Sequence, residues 1–166
     1  MTKVRKVKRL ISILIATIAG TNLSCEAQVK IGNAEIAVPT GWRKIIDDKE
    51  RINALSPDER QQATISVMRF ESSSTFEDFK RLCEHRVKAE KTEVPDVSIS
   101  ADEPFVDAGA FGMFFSGNER TASRLFSGYL TLKDKELITI YVESIGVDSK
   151  RHFQTFEKFV KGLKWR

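Results

Sequence analysis

The spacing of apolar residues divides most of the chain into short strands separated by turn-forming residues. Alternating or compact apolar segments bounded by Gly, Pro, Asn and Asp are typical of strands. A Gly-Asn pair at residues 32–33 predicts a turn between the first two strands, and residues 132–136 predict a hairpin turn. The predicted strands lie within residues 29–38 (two pieces), 45–46, 52–55, 64–70, 97–100, 105–107, 110–116, 124–132 and 136–145.

Two segments instead carry apolar residues at the helical spacing. The first helix ends near Thr92, and Ser74 or Thr75 caps its start with acids three residues on, as in a capping box. Its apolar positions are Phe76, Phe79, Cys83 and Val87. The second helix closes the chain, with Ser149 as its predicted N-cap. Its predicted apolar stripe is Phe153, Phe156, Val160 and Leu163, widened by Phe159.

This order of elements predicts an α+β fold, a mostly antiparallel sheet sandwiched by helices. Residues 111–115, Phe-Gly-Met-Phe-Phe, place large apolar groups on both faces of one strand. Such a segment predicts a strand that is covered on both sides. Pro39 and Gly41 predict a chain reversal that folds Trp42 back over the core.

The first 27 residues have the composition of an export signal. Residues 1–9 hold five basic side chains, residues 10–19 are apolar, and Cys25 and Ala27 are small residues at the positions that a signal peptidase reads. A run of about ten apolar residues is too short to span a bilayer. We therefore predict a signal peptide over residues 1–27, cleavage between Ala27 and Gln28, and one globular domain over residues 28–166.

Cys25 leaves a second processing route open. Leu23 and Ser24 suit the positions before a lipobox cysteine, whereas Asn22 stands where leucine is usual. Acylation at Cys25 would make the protein a lipoprotein held at a membrane. Otherwise we expect a periplasmic or secreted protein. After cleavage at Ala27, Cys83 is the one remaining cysteine, so no disulfide forms within the domain.

Charge argues against a nucleic-acid partner. The leader contributes five of the 27 basic residues and one of the 23 acidic residues, so residues 28–166 hold 22 of each. Nucleic-acid binding needs a basic surface on the folded domain. The net positive charge of the whole chain comes from the leader instead.

Several of these features occur together in a known family. Val-Pro-Thr-Gly-Trp at residues 38–42 ends an early strand, Ser-Thr-Phe-Glu-Asp-Phe at residues 74–79 opens a helix, and Gly-Ala-Phe-Gly at residues 109–112 lies in a strand. A late hairpin and a Phe-rich terminal helix follow. The chain resembles the PsbP-like group, which includes the extrinsic P subunit of photosystem II and bacterial DcrB-like envelope proteins. The resemblance implies an antiparallel sheet sandwiched by helices and a role in binding proteins; it supplies no metal or catalytic residue.

Reactive side chains are few. His85 and Cys83 lie two apart on one helix and point away from each other, so they cannot form a catalytic pair. A contact between Cys83 and His152 through the fold stays open. No zinc, EF-hand or phosphate-loop motif is present, although acidic turns leave a weak calcium site open. We expect no catalytic residue, no metal and no cofactor.

What remains is a surface for a partner. The polar segment 117–123 joins two core strands, and loops often carry function. With the acidic turn at residues 47–51 it forms the predicted contact region. The candidate residues are Asp47, Asp48, Asn118, Glu119 and Arg120.

The leading interpretation is an exported, non-enzymatic binding domain of the bacterial cell envelope. Its partner is a protein, and a membrane is involved only if Cys25 is lipidated. A toxin-neutralising immunity or chaperone-like protein and a hydrolytic enzyme are the alternatives. The sequence predicts neither the identity of the partner nor the oligomeric state.

Overall fold

The computed structural model describes residues 25–93 and 96–166, which form eleven strands and two helices. The predicted signal peptide lies outside these residues, except that the backbone of residues 25–27 begins the first strand. The elements are β1 Cys25–Ile31, β2 Ala34–Pro39, β3 Arg43–Asp47, β4 Arg51–Leu55, β5 Gln61–Arg69, α1 Phe76–Glu93, β6 Val97–Ala101, β7 Phe105–Asp107, β8 Ala110–Glu119, β9 Arg124–Lys133, β10 Glu136–Ile145, α2 Ser149–Gly162 and β11 Lys164–Trp165.

The strands form two antiparallel sheets. The larger has the order β3-β4-β5-β10-β9-β8-β6, with the short β7 also pairing with β8. The smaller has the order β1-β2-β11, so the last strand of the chain pairs beside the second. The predicted turn at residues 32–33 joins β1 and β2, which confirms that hairpin.

Side chains alternate between the two faces of the large sheet, and each face has its own helix. On β10, Ile138 and Ile140 pack with Phe159 of α2 and with the small sheet, whereas Leu137 packs with Phe79 of α1. The sheet is therefore sandwiched between α1 on one side and α2 with the small sheet on the other. The predicted α+β architecture is confirmed.

The strand over residues 110–119 is covered on both sides, as its apolar residues predict. Met113 and Phe115 belong to the core on the α1 side, and the ring centroid of Phe114 lies 6.3 Å from that of Phe156 on α2. Trp42 also folds back as predicted, with its ring 5.2 Å from Phe159 in an edge-to-face contact.

Helix α1 begins as the sequence predicts. The backbone N–H of Asp78 donates to Thr75 Oγ1 at 3.2 Å, and the backbone N–H of Thr75 donates to Asp78 Oδ2 at 3.0 Å. This reciprocal pair is a capping box with aspartate in place of the usual glutamate. Thr75 is therefore the cap.

Helix α2 differs from its prediction in both start and orientation. Its N-cap is Asp148, whose side chain accepts a hydrogen bond from the N–H of Arg151, so the prediction of Ser149 was wrong by one residue. The fully inward positions are His152, Thr155, Phe159 and Gly162, while the side chain of Phe153 is 40% exposed. The helix is rotated from the predicted stripe because polar partners on the sheet satisfy His152 and Thr155.

Two glycines on the α1 side of the sheet make room for aromatic rings. Gly128 lies directly opposite Phe115, and Gly117 lies directly opposite Phe126. A Cβ at Gly128 would lie 2.1 Å from the Phe115 ring, and one at Gly117 would lie 2.2 Å from the Phe126 ring. The rings therefore lie flat over the backbone of the neighbouring strand.

Candidate functional site

A groove of about 690 Å³ lies beside α1. It lies between one side of the helix and the connection from β6 to β7. The floor is apolar and the rim carries charges of both signs. The lining residues are Phe76, Lys80, Cys83, Glu84, Val87, Lys88, Lys91, Ala101, Asp102, Glu103, Pro104 and Met113.

The packing of α1 explains why this groove exists. Phe79 and Cys83 are the residues of α1 that are fully buried in the apolar core, while Phe76 and Val87 pack against the same core only partly. The backbone N–H of Asp102 donates to the carbonyl of Phe114 at 2.9 Å, which holds the opposite wall against β8. The helix and this wall leave the partly buried side chains of Phe76 and Val87 open to the space between them.

The thiol of Cys83 is inert at this floor. Burial raises its pKa to about 12, with the nearby carboxylate of Glu84 adding to the shift. Its side chain is 1% exposed, so the thiol stays protonated and shielded at neutral pH. His85, two residues on, is exposed on the outer side of α1.

His152 occupies the opposite side of the sheet and cannot reach Cys83. Its Nδ1 lies 2.8 Å from Ser144 Oγ, and its Nε2 lies 2.9 Å from Ser127 Oγ. Burial lowers the pKa of the imidazole to about 4, so it is neutral at physiological pH. The contact between Cys83 and His152 that the sequence leaves open does not form.

The hydrogen bonds of His152 continue into the core. Gln61 Nε2 donates to Ser144 Oγ at 3.1 Å, and Thr155 Oγ1 donates to Gln61 Oε1 at 3.2 Å. Ser127 has no exposed surface, and among the described residues no carboxylate bonds the imidazole. A catalytic serine needs an accessible oxygen and an oriented base. This cluster therefore joins α2 to the sheet as a structural element.

The five predicted contact residues lie in two separate places. Asp47 ends β3, and Asp48 lies in the following turn, where its Oδ1 accepts the backbone N–H groups of Glu50 at 2.8 Å and Arg51 at 2.6 Å. Asn118 and Glu119 end β8, five strands away. At about 4.8 Å per strand, the two places are ~24 Å apart. The structure does not bring them into one surface.

The segment 117–123 is also less open than predicted. β8 continues to Glu119, so only residues 120–123 form the turn. Glu119 accepts from Arg124 Nη1 at 3.3 Å, and Arg124 also donates to Glu143 and to the hydroxyl of Tyr141 at 3.0 Å each. Glu119 therefore belongs to an internal ionic network, whereas Asn118 and Arg120 are exposed.

Residues 25–93 and 96–166 contain no group of three or more His, Cys, Asp or Glu side chains placed to hold a metal ion. Within the same residues, no helix is long and apolar enough to cross a membrane.

Comparisons with known proteins identify the fold. The chain matches no family model, and no curated protein sequence is significantly similar to it. The solution structure of cyanobacterial PsbP (CyanoP) from Synechocystis sp. PCC 6803 superposes with a TM-score of 0.66 over 92% of this chain and 99% of that one, at 12% identity. The chain has a PsbP-like fold. The resemblance found in the sequence is thus confirmed for the architecture.

Two further solved structures superpose less well on this chain. A crystal structure from Bacteroides thetaiotaomicron VPI-5482 has a TM-score of 0.46 at 13% identity, covering 84% of this chain and 49% of that one. The extracellular domain of PknH from Mycobacterium tuberculosis has a TM-score of 0.36 at 6% identity, covering 81% and 79%.

Proposed function

We propose that this protein is an exported, non-enzymatic binding domain of the bacterial cell envelope, and that the groove beside α1 receives a protein partner. The groove is the observation that supports this proposal. Its apolar surface, to which the partly exposed Phe76 and Val87 contribute, is suited to a large apolar side chain, the kind of anchor that dominates protein interfaces.

The rim of the groove favours a polypeptide over a simple ion or a lipid. Lys80, Lys88 and Lys91 line the groove together with Glu84 on α1, and the opposite wall carries the acidic residues Asp102 and Glu103. A rim with both signs of charge selects a partner segment that also carries both signs and fixes its orientation. An anionic amphiphile would meet the carboxylates of Glu84, Asp102 and Glu103 as well as the lysines.

The placement of the reactive groups supports a non-enzymatic role. Cys83 is shielded and protonated, both nitrogens of His152 have hydroxyl partners inside the core, and His85 is on the outer side of α1. Nucleophilic catalysis requires a nucleophile and a base within hydrogen-bond reach in an accessible site. A hydrolytic role would therefore need residues other than these three.

The direct test is quantitative capture of envelope proteins from the source organism by the tagged chain. Charge reversal at the exposed groove residues, Lys88→Glu with Lys91→Glu, should abolish capture of the specific partner because it makes the rim acidic. The matched control reverses two exposed lysines elsewhere, Lys158→Glu with Lys164→Glu, and should leave capture unchanged. If both variants captured the partner as well as the unchanged protein does, the groove would not be part of the interface.

The same experiment separates the alternatives. Capture of one secreted toxin with nanomolar affinity would favour an immunity protein, whereas many unfolded clients would favour a chaperone-like role. Activity on envelope substrates that is lost in the groove variant would restore the enzyme hypothesis.

Export has its own measurement. Intact-mass analysis of the protein from a Gram-negative host should show a chain that begins at Gln28, since Cys25 and Ala27 suit the peptidase. A diacylglycerol-modified Cys25 would establish the lipoprotein route instead. A cytoplasmic product that keeps residues 1–27 would contradict both.

A further inference from the structure

A second, smaller concavity lies on the opposite side of the sheet from the groove. Its volume is about 170 Å³, and it opens between the paired ends of β6 and β8 and the first turn of α2. The lining contains no charged side chain: its polar groups are those of Ser98, Ser100, Ser116, Asn118 and the neutral His152, and Phe153 stands at the rim. This uncharged character distinguishes it from the groove beside α1.

Strand register places the polar side chains in a regular array. Ser98 is directly opposite Asn118, and Ser100 is directly opposite Ser116. Opposite residues on one face lie about 5 Å apart, and residues two apart along a strand lie ~7 Å apart. Three hydroxyls and one amide thus converge on one small area. In the described part of the chain, none of these four side chains has a hydrogen-bond partner.

The same polar surface continues beneath α2, where it is fully paired. Ser116 is directly opposite Ser127, and Asn118 is opposite Leu125, which is in turn opposite Ser144. His152 satisfies both Ser127 and Ser144. The helix therefore covers one half of a hydroxyl-rich surface and leaves the other half without partners.

Phe153 supplies the apolar component of this open half. Its side chain is 40% exposed, although it follows the buried His152 directly on α2. The centroids of the two rings lie 5.3 Å apart. An exposed aromatic ring beside unpaired hydroxyl and amide groups suits a ligand that has one apolar face and several hydroxyls. Sugar rings have this character, since their C–H groups stack on aromatic rings and their hydroxyls both donate and accept hydrogen bonds.

We propose that this concavity is a binding subsite for one ring of an uncharged glycan. The ring stacks on Phe153, and its hydroxyls bond with Ser98, Ser100, Ser116 and Asn118. An anion is disfavoured because the lining holds no cation and Asp148 already caps the start of α2. A metal ion is disfavoured because the lining holds no carboxylate. The subsite is separate from the groove, so it does not depend on the proposed protein partner.

The test is amide chemical-shift mapping of the isotope-labelled protein with three neutral trisaccharides: maltotriose, cellotriose and triacetylchitotriose. Concentrations up to ~10 mM cover the millimolar affinities expected of a one-ring site. At least one trisaccharide should shift amides of residues 98–100, 116–118 and 150–153 in a saturable way. Phe153→Ala should weaken that binding about fivefold to tenfold, while Phe153→Trp should retain it, because the indole keeps a stacking surface.

The matched control is Val106→Ala, which truncates a side chain that is 60% exposed on β7, and it should bind like the unchanged protein. Melting temperatures check that each variant is folded. A second variant, Ser100→Ala with Ser116→Ala, should also weaken binding. No saturable shift with any trisaccharide, unchanged affinity in folded Phe153→Ala, or shifts confined to the groove beside α1 would each overturn the proposal. Shifts by an unstructured peptide along β6, without a sugar effect, would replace it with strand addition.

Capture of protein partners and binding of trisaccharides are measured separately. The groove variant Lys88→Glu with Lys91→Glu should keep its sugar affinity, and Phe153→Ala should keep its protein capture. Failure of one proposal is therefore visible while the other stands.

Discussion

The two faces of the large sheet are packed in different ways. Under α2 the core is mainly aliphatic, with Ile52, Ile65 and Ile138 beneath the helix and the small sheet. Under α1 it is richer in aromatic rings, which supply three of its eight buried residues, Phe79, Phe115 and Phe126. The first face is covered by α2 and the small sheet except at the small concavity beside Phe153, whereas the second keeps the larger groove beside α1. Both faces therefore contribute a buried core, and they differ in how much concave surface each helix leaves uncovered.

The polar groups of the two faces differ as well. On the α2 side a neutral network of His152, Ser127 and Ser144 is buried and complete. On the α1 side Arg124 joins Glu119 and Glu143 in a half-buried ionic network. Neutral hydrogen bonds tolerate full burial, whereas charges need partial contact with water.

The largest expected effect on stability concerns the core beneath α2. Phe159→Ala should lower the free energy of unfolding by about 3–5 kcal/mol, since the ring is fully buried beneath Trp42. Phe153→Ala on the same helix should cost under ~1 kcal/mol, because its side chain is exposed. Denaturant titration measures both. Equal losses would mean that α2 is oriented as the sequence stripe predicts.

A smaller effect tests the neutral network by pH. The folded pKa of His152 is lowered to about 4 by burial, against an ordinary value of 6.5, so the unfolded chain binds a proton first as the pH falls. Stability should therefore be constant above pH ~6.5 and fall by at most about 3 kcal/mol between pH ~6.5 and ~4. His152→Gln should remove this dependence, and His85→Gln should keep it. An unchanged slope in His152→Gln would contradict the assignment.

Asp58 titrates in a lower window and can be distinguished. Its hydrogen bonds from Ser56 and Arg151 lower its pKa from 3.8 to about 2. Its contribution is therefore present above pH ~3.8 and is lost as the pH falls towards ~2.

The packing of aromatic rings on the α1 side can be tested by filling the space that a glycine leaves for one ring. Gly128→Ala places a methyl group against the Phe115 ring, so it should cost about 1–3 kcal/mol. In a Phe115→Leu background the same change should cost less, and this non-additivity in a double-mutant cycle isolates the contact. Additive losses would show that backbone propensity, rather than the ring, makes glycine necessary there.

The smallest effect concerns the start of α2. Asp148→Ala should cost about 1 kcal/mol because it leaves the N–H of Arg151 without its cap. Ser149→Ala should cost under ~0.5 kcal/mol. The reverse order in thermal unfolding would restore Ser149 as the cap.

Local pattern predicted most elements but not how far they extend or which way they face. The strands, the turn at residues 32–33 and the capping box at Thr75 depend on neighbouring residues, which a short segment displays. β8 continues to Glu119 because β6 and β9 both pair along it, a fact that residues 117–119 do not reveal. The five predicted contact residues lay in polar segments, and polarity alone does not show that ~24 Å separates them.

The sequence by itself determined the fold class and the neutral charge of residues 28–166, because these depend on composition and on apolar periodicity. Only the tertiary structure decided which side of α2 faces inward. His152 is buried because Ser127 and Ser144, from two other strands, satisfy it. The groove beside α1 and the smaller concavity beside Phe153 also depend on the tertiary structure, because each is lined by residues that are far apart in the chain. The hydrophobic pattern and the turns set the register within a hairpin, whereas contacts between residues that are far apart in the chain form only in the assembled sheet.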